Sequence, residues 1–333
     1  MSKFSCSDVA PSRARRRARA VRAVAAAVAL CALFVLGALR LVRDPTPRFA
    51  ERRSELVRWS EGAPERVGGH DIHTVRLVAS SGLEVELLVK RPAPADTLVP
   101  PVRRRPVIVI AGGHRTGREA ARLIPDTRGT VVAALSYPLR GKRPRKGMDV
   151  LRAVPAIRDA ILDTPPALML ALDYLLRQPY ADSARAELVG VSLGAPFACI
   201  AGALDPRFRR VWAIHGSGGS YVPLEHNMRR KIPFTPLRVV AARLADVIAA
   251  GPRLAPERWV GRIAPRPFVM VNARDDVQMP RDEVERLYAS ARAPKEIIWV
   301  AGGHVRSRPE VVHPLIELVL SRVLADDGGE ERP

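Results

Sequence analysis

The sequence predicts an open, doubly wound α/β sheet, mostly parallel, and three observations carry that reading. Six short segments each hold a continuous apolar run: "VIVIAGG" (107–113), "GTVVAALSY" (129–137), "AELVGV" (186–191), "VWAIHG" (211–216), "PFVMVNA" (267–273) and "EIIWVAGG" (296–303). A strand with one wet face alternates in polarity, so runs apolar on both faces indicate parallel strands covered by helices on each side. Helical patterns lie between these runs, which gives a βαβα rhythm. Ahead of them, "HTVRLVA" (73–79) and "LEVELLVK" (83–90) alternate with period two around a Ser-Ser-Gly turn and predict a hairpin.

The N-terminus predicts a membrane attachment. The basic segment "RARRRARAVR" (13–22) precedes the uncharged run "AVAAAVALCALFVLGAL" (23–39), 17 residues long. That length is at the short end for a spanning helix and exceeds the usual apolar core of a cleaved signal peptide. Seven Lys/Arg precede the run and two, Arg40 and Arg43, close it. The positive-inside bias predicts a basic cytoplasmic tail at 1–22 and a transmembrane signal anchor at 23–42, with a cleaved signal as the alternative. The remainder is then expected on the outer, periplasmic or extracellular, side of a bacterial inner membrane. Cys31 follows Leu30, where a lipoprotein needs a small residue.

The remaining elements follow in chain order. Residues 43–70 are charged and irregular and read as a linker or a first surface helix. The folded domain is expected at 71–326, with a Pro-rich loop at 91–106 and a disordered tail at 327–333. The segment "TPPALMLALDYLLRQ" (164–178) predicts a helix capped by Thr164, with Pro165 in its first turn and Leu168, Leu172, Leu175 and Leu176 on one stripe. Further helices are expected at 193–204, 280–291 and 314–324. About 50 residues separate "VWAIHG" from "PFVMVNA" and contain the amphipathic "PLRVVAARLADVIAAG" (236–251). Insertions of that length often cover sites, so a helical lid is expected over about 217–260.

Composition excludes several function classes. The formal charge is +20, and arginine supplies 48 of the 54 basic residues. Such a bias fits a GC-rich bacterial genome. The clusters "RRR" (103–105) and "RGKRPRK" (140–146) carry no aromatic platforms for bases, so they read as solvated loops rather than a nucleic-acid site. Attraction to anionic lipid is a milder consequence of the charge. The three cysteines, Cys6, Cys31 and Cys199, show neither disulfide nor metal spacing. No metal and no cofactor are expected.

The chemistry-bearing motif is "GVSLG" (190–194). A strand that reverses sharply into a helix exposes one side chain at the tip, at strained backbone angles. Neighbours two residues away crowd the turn, so glycine is needed at both Gly190 and Gly194. The helix that follows aims its positive end at Ser192, and the Leu193 N–H is positioned for a developing oxyanion. An ordinary turn serine is the alternative.

With its context, "LDYLLRQPYADSARAELVGVSLGA" (172–195), the motif resembles the α/β-hydrolase superfamily over roughly residues 70–325. The look is closest to bacterial esterases of the dienelactone-hydrolase and acetyl-xylan-esterase type. The resemblance implies the order nucleophile, acid, histidine. The acid falls in "ARDDVQMP" (273–280), where Asp275 and Asp276 compete and Pro280, four residues on, selects Asp276. The histidine is His304 in "WVAGGHV" (299–305). Ser192 is then the nucleophile, His304 the general base and later acid, and Asp276 the group that orients its ring. The resemblance also implies the Gly113 N–H as a second oxyanion donor. Ala111-Gly112 stands where His-Gly is common, so the donor is uncertain by one residue, and the neighbouring His114 is a candidate for substrate contact or loop support. His215 ends a strand near the same place, as a substrate-contacting wall or an internally satisfied polar residue. The expected function is a serine hydrolase acting on a small-molecule carboxylic ester through an acyl-enzyme. A thioesterase, a peptidase, an amidase and a non-catalytic binding protein of the same fold are the alternatives.

Overall fold

A computed structural model describes residues 46–93, 104–139, 141, 148–306 and 308–325, together with 21, 22, 24, 25, 28, 29 and 32. The chain divides into two compact units, Met1–Asp44 and Pro45–Pro333. In the first unit the described residues are helical and exposed. Most of the expected anchor at 23–42 lies outside the described residues, as does the tail at 327–333. No helix among the described residues is long and apolar enough to cross a membrane.

The second unit is built on a ten-stranded sheet. Its strands are β1 (Leu56–Glu61), β2 (Glu65–Val67), β3 (His70–Ala79), β4 (Glu84–Pro92), β5 (Arg105–Ala111), β6 (Val131–Leu135), β7 (Ala181–Val191), β8 (Arg210–Ile214), β9 (Phe268–Ala273) and β10 (Lys295–Val300). They run β1-β3-β4-β6-β5-β7-β8-β9-β10, with β2 on β3. The predicted hairpin is antiparallel β3–β4. From β6 to β10 every pairing is parallel, as the six apolar runs predict. After β5 the chain first pairs β6 on one side, then crosses to pair β7 on the other. A crevice opens beyond the carboxyl ends of strands at such a reversal of order.

Alternation along the strands splits the core in two. Val107, Val109, Leu188, Val211 and Met270 belong to one core, shared with helices α2 (Met148–Leu176) and α3 (Gly194–Leu204). Ile108, Ile110, Val189, Ile214 and Val271 belong to the other. Its cover is one 3-10 turn (Gly117–Leu123) and the C-terminal helix, Pro309–Ala325.

Three expectations are corrected. Residues 46–67 are not a linker, and 46–53 take the other reading offered, a first helix. Thr46–Arg53 forms a helix, α1, that buries Phe49 against Trp259 at a 5.7 Å ring separation. Arg52 binds Asp159 and Asp163, and Arg53 and Arg207 both bind Asp173, so α1 is tied to α2. Charge that looked like solvated linker is paired. Second, Thr164 is not a helix start: α2 is continuous from Met148 with Pro155, Pro165 and Pro166 inside it, and the Thr164 hydroxyl donates to the Ala160 carbonyl one turn back. Third, the insertion after β8 holds α4 (Tyr221–Met228), α5 (Thr235–Ile248) and α6 (Gly251–Leu254), but the apolar stripe of α5 faces out. Leu237, Val240 and Leu244 are exposed while Arg238 and Asp246 are buried, Arg238 on Glu225.

Two helices complete the order, α7 (Arg281–Ser290) and α8 (Pro309–Ala325).

Candidate active site

The site lies at the carboxyl ends of five adjacent strands. Ser192 follows β7 at φ +52°, a left-handed conformation that a serine holds only when its surroundings enforce it. The enforcement is steric. A Cβ on Gly190 would sit 2.6 Å from Ala198 Cβ, and one on Gly194 would overlap the Ala111 carbonyl. Only glycines let the elbow press against α3 and β5. Ser192 is presented at the start of α3, whose positive dipole end lies beside it.

His304 and Asp276 come to Ser192 from the loops after β10 and β9. The Ser192 hydroxyl donates to His304 Nε2 at 2.8 Å. His304 Nδ1–H donates to Asp276 Oδ2 at 2.7 Å. Asp276 Oδ1 accepts the N–H groups of Gln278 (2.8 Å) and Met279 (3.2 Å), which fixes the carboxylate plane. Of the two candidate acids the geometry selects Asp276. The Asp275 N–H bonds the Gly302 carbonyl and so joins the acid loop to the histidine loop.

A second imidazole shares the acid. His215, also left-handed at φ +50°, donates Nδ1–H to Asp276 Oδ2 at 2.9 Å. Its ring stands edge-on to that of His304, 5.2 Å between centroids. At 1% exposure it is sealed from solvent, so it is not the substrate-contacting wall the sequence allowed. Burial alone would raise the Asp276 carboxyl. The hydrogen bonds from His215 and His304 outweigh burial and hold it below the usual carboxylate range.

The donor atoms of His215, Asp276 and His304 lie within 4.8 Å of one another, close enough to chelate a metal. Both Nδ1 atoms are committed to the carboxylate, and hydrogen bonding accounts for the proximity.

The two expected oxyanion donors flank Ser192. Leu193 starts the helical turn in αR geometry. Gly113 abuts Ser192: a Cβ there would lie 4.0 Å from Ser192 Cβ. Among the described residues neither N–H has a backbone acceptor. The Gly113 carbonyl accepts from Thr116 N–H and Oγ1–H, which shapes the loop into a turn. His114 lines the cavity that opens at Ser192, so it is available to a substrate. Tyr137, from the "SYPLRGK" segment, donates its hydroxyl to the Gly112 carbonyl and braces the same loop. Cys199 is buried in α3, and desolvation pushes its thiol up to about 12, so it is no competing nucleophile.

Helices stand where a lid is expected, but the residues lining the cavity at Ser192 include none from 217–260 among those described. Instead α4 holds the acid loop. His226 Nε2–H donates to the Val277 carbonyl, and Asn227 Nδ2–H to that of Gln278.

Solved structures share this architecture. An acetyl xylan esterase from Thermoanaerobacterium sp. superposes with a TM-score of 0.56 at 15% identity, over 84% of this chain and 93% of that one. One from Paenibacillus sp. gives 0.56 at 18%, over 82% and 92%. A 2,6-dihydroxy-pseudo-oxynicotine hydrolase gives 0.54 at 17%, over 76% and 68%. The chain has the α/β-hydrolase fold. No family model and no curated protein matches its sequence.

On the α/β-hydrolase fold, sequence reasoning missed two features: the bond from His215 to the acid and the depth of the cavity beneath Ser192. The first had a faint signal. "AIHG" puts a histidine at the end of β8, and β8 pairs with β9, the strand that leads to Asp276.

Proposed function

We propose that this protein is a serine hydrolase that cleaves a carboxylic ester through an acyl-enzyme. The observation that carries the proposal is the continuous hydrogen-bonded line from Ser192 Oγ through His304 to Asp276 Oδ2. Ser192 Oγ attacks the ester carbonyl as its proton passes to His304 Nε2. Asp276 keeps the proton of His304 on Nδ1, which leaves Nε2 free to accept. The N–H groups of Leu193 and Gly113 stabilise the tetrahedral oxyanion. His304 then gives its proton to the departing alcohol. Water, deprotonated by His304, attacks the acyl-serine, and the carboxylic acid leaves as Ser192 regains its proton. Esterases among the structures of the same fold support the choice of ester over amide.

The order of basic segment 1–22 and apolar run 23–39 supports a membrane-tethered form with the hydrolase domain on the outer side. Alkaline carbonate should leave such a protein in the membrane pellet; release into the supernatant contradicts the tether.

Rapid mixing with p-nitrophenyl acetate tests the chemistry. A burst of about one nitrophenolate per protein, followed by slower turnover, is the signature of an acyl-enzyme. Ser192→Ala should lose burst and turnover together. Undiminished turnover in that variant would place the nucleophile elsewhere.

A further inference from the structure

Beneath Ser192 lies a cavity of about 870 Å³, at the upper end of what ligand sites enclose. It opens among Ser192, Gly113 and His304 and extends between one face of the sheet and the C-terminal helix. Its far walls are aliphatic: Ile108 and Val189 from β5 and β7 on one side, Leu315, Val319 and Leu320 from α8 on the other. The charged residues that line it, Arg115, Arg306 and Arg308, belong to the loops that carry His114 and His304.

The cavity has a local cause. Adjacent parallel strands are usually joined by a crossover helix that packs on the sheet. Between β5 and β6 this chain has only the 3-10 turn Gly117–Leu123. That turn and α8 cover Ile108 and Val189, and part of the space that a full helix would fill is left to the cavity.

Its depth is read from its walls. From Ser192 back to Val189 the strand covers about 10 Å, at roughly 3.3 Å per residue. From Val312 to Leu320 the helix covers about 12 Å, at roughly 1.5 Å per residue. An all-trans chain of bonds about 1.5 Å long, at angles of about 111°, advances about 1.25 Å per bond, so this depth takes about eight to ten carbons. An acetyl group would occupy only the mouth.

We propose that the cavity is an acyl-binding site for an aliphatic chain of about eight to ten carbons, whose carbonyl carbon sits at Ser192 Oγ. Far walls that are aliphatic among the described residues suit methylenes and disfavour polar acyl groups by desolvation. The alcohol half of the ester stays at the polar mouth, near His114 and the three arginines. This substrate class rests on the serine-hydrolase reading, but occupancy of the cavity can be read without turnover.

The test joins a kinetic series to a binding measurement on the full chain. With p-nitrophenyl esters from acetate to laurate, kcat/KM should rise about fourfold per added methylene up to the decanoate, the gain expected for burying each CH₂. Val319→Trp from the helix side, and Ile108→Phe from the strand side as an independent block, should each lower the decanoate-to-acetate ratio at least tenfold. Calorimetric titration of Ser192→Ala with decanoate should show saturable binding that Val319→Trp weakens. A kcat/KM that is flat or falls beyond butyrate, in a protein that cleaves the acetate, overturns the acyl site and leaves the hydrolase reading intact. If no ester is cleaved, the hydrolase reading fails. Decanoate titration then decides the cavity alone, and absence of binding overturns it.

Discussion

Asp276 Oδ2 accepts from two imidazoles that are not equivalent. His304 also meets Ser192; the His215 side chain meets the acid, the His304 ring and the core. Replacing Asp276 by Asn should therefore lower kcat by about 10⁴-fold, because the amide no longer holds the His304 proton on Nδ1. His215 is a positioning residue, and its removal should cost less. In His215→Phe we expect kcat to fall about 10- to 100-fold, the size of effect typical of partners that orient another ligand. KM should stay unchanged. His215→Asn should restore much of the loss, since its amide keeps a donor near the Nδ1 position and asparagine tolerates a positive φ. A purely structural role would show as loss of melting temperature in step with kcat, without rescue. The acid also leaves a mark on stability. The folded Asp276 carboxyl lies below its ordinary 3.8, so its contribution is fully present above that value and is lost as pH falls through the range beneath it. Chemical denaturation between pH 5 and pH 2 should show a smaller acid loss in Asp276→Asn than in the wild type. Ser192, Asp276 and His304 were legible because each sits in a short local pattern at a strand end. His215 was not, because its bond to Asp276 spans 61 residues and no local pattern marks it.

At the scale of elements, the elbow joins β5, β7 and α3. Gly194→Ala would drive a methyl into the Ala111 carbonyl, and overpacking of this kind costs about 1–3 kcal/mol or more. Thermal denaturation should show a fall of several degrees in melting temperature, with activity lost even at temperatures where the variant is folded. Retention of full activity would mean that the elbow tolerates a wider turn. The strands were readable because two-sided apolar runs have few other uses. Helix starts were harder. Thr164-Pro165 carries the signature of a first turn, yet the upstream residues from Met148 continue the helix through it. The stripe of α5 was legible as helical but its direction was not, because periodicity does not say which side meets the core.

Across the whole molecule, α1 closes the outer layer of the domain. Phe49 is 1% exposed and packs with Leu162, Ile200 and Trp259. Phe49→Ala should cost about 3–5 kcal/mol. A cost under about 1 kcal/mol by urea denaturation would return residues 46–53 to the status of a linker. The sequence left this element open between linker and surface helix, because a single buried aromatic anchors it and Arg52 and Arg53 look solvated until Asp159, Asp163 and Asp173 of α2 are brought opposite. The sheet thus delivers Gly113, Ser192, His215, Asp276 and His304 to one crevice from five strand ends, and the account stands on what Ser192 does there. Its most direct test is mass spectrometry of the full chain treated with a fluorophosphonate. The expected result is one adduct per molecule, mapped to Ser192, absent from Ser192→Ala and strongly slowed in Asp276→Asn. A folded wild-type protein that takes no adduct, or takes it at another residue, would contradict the account.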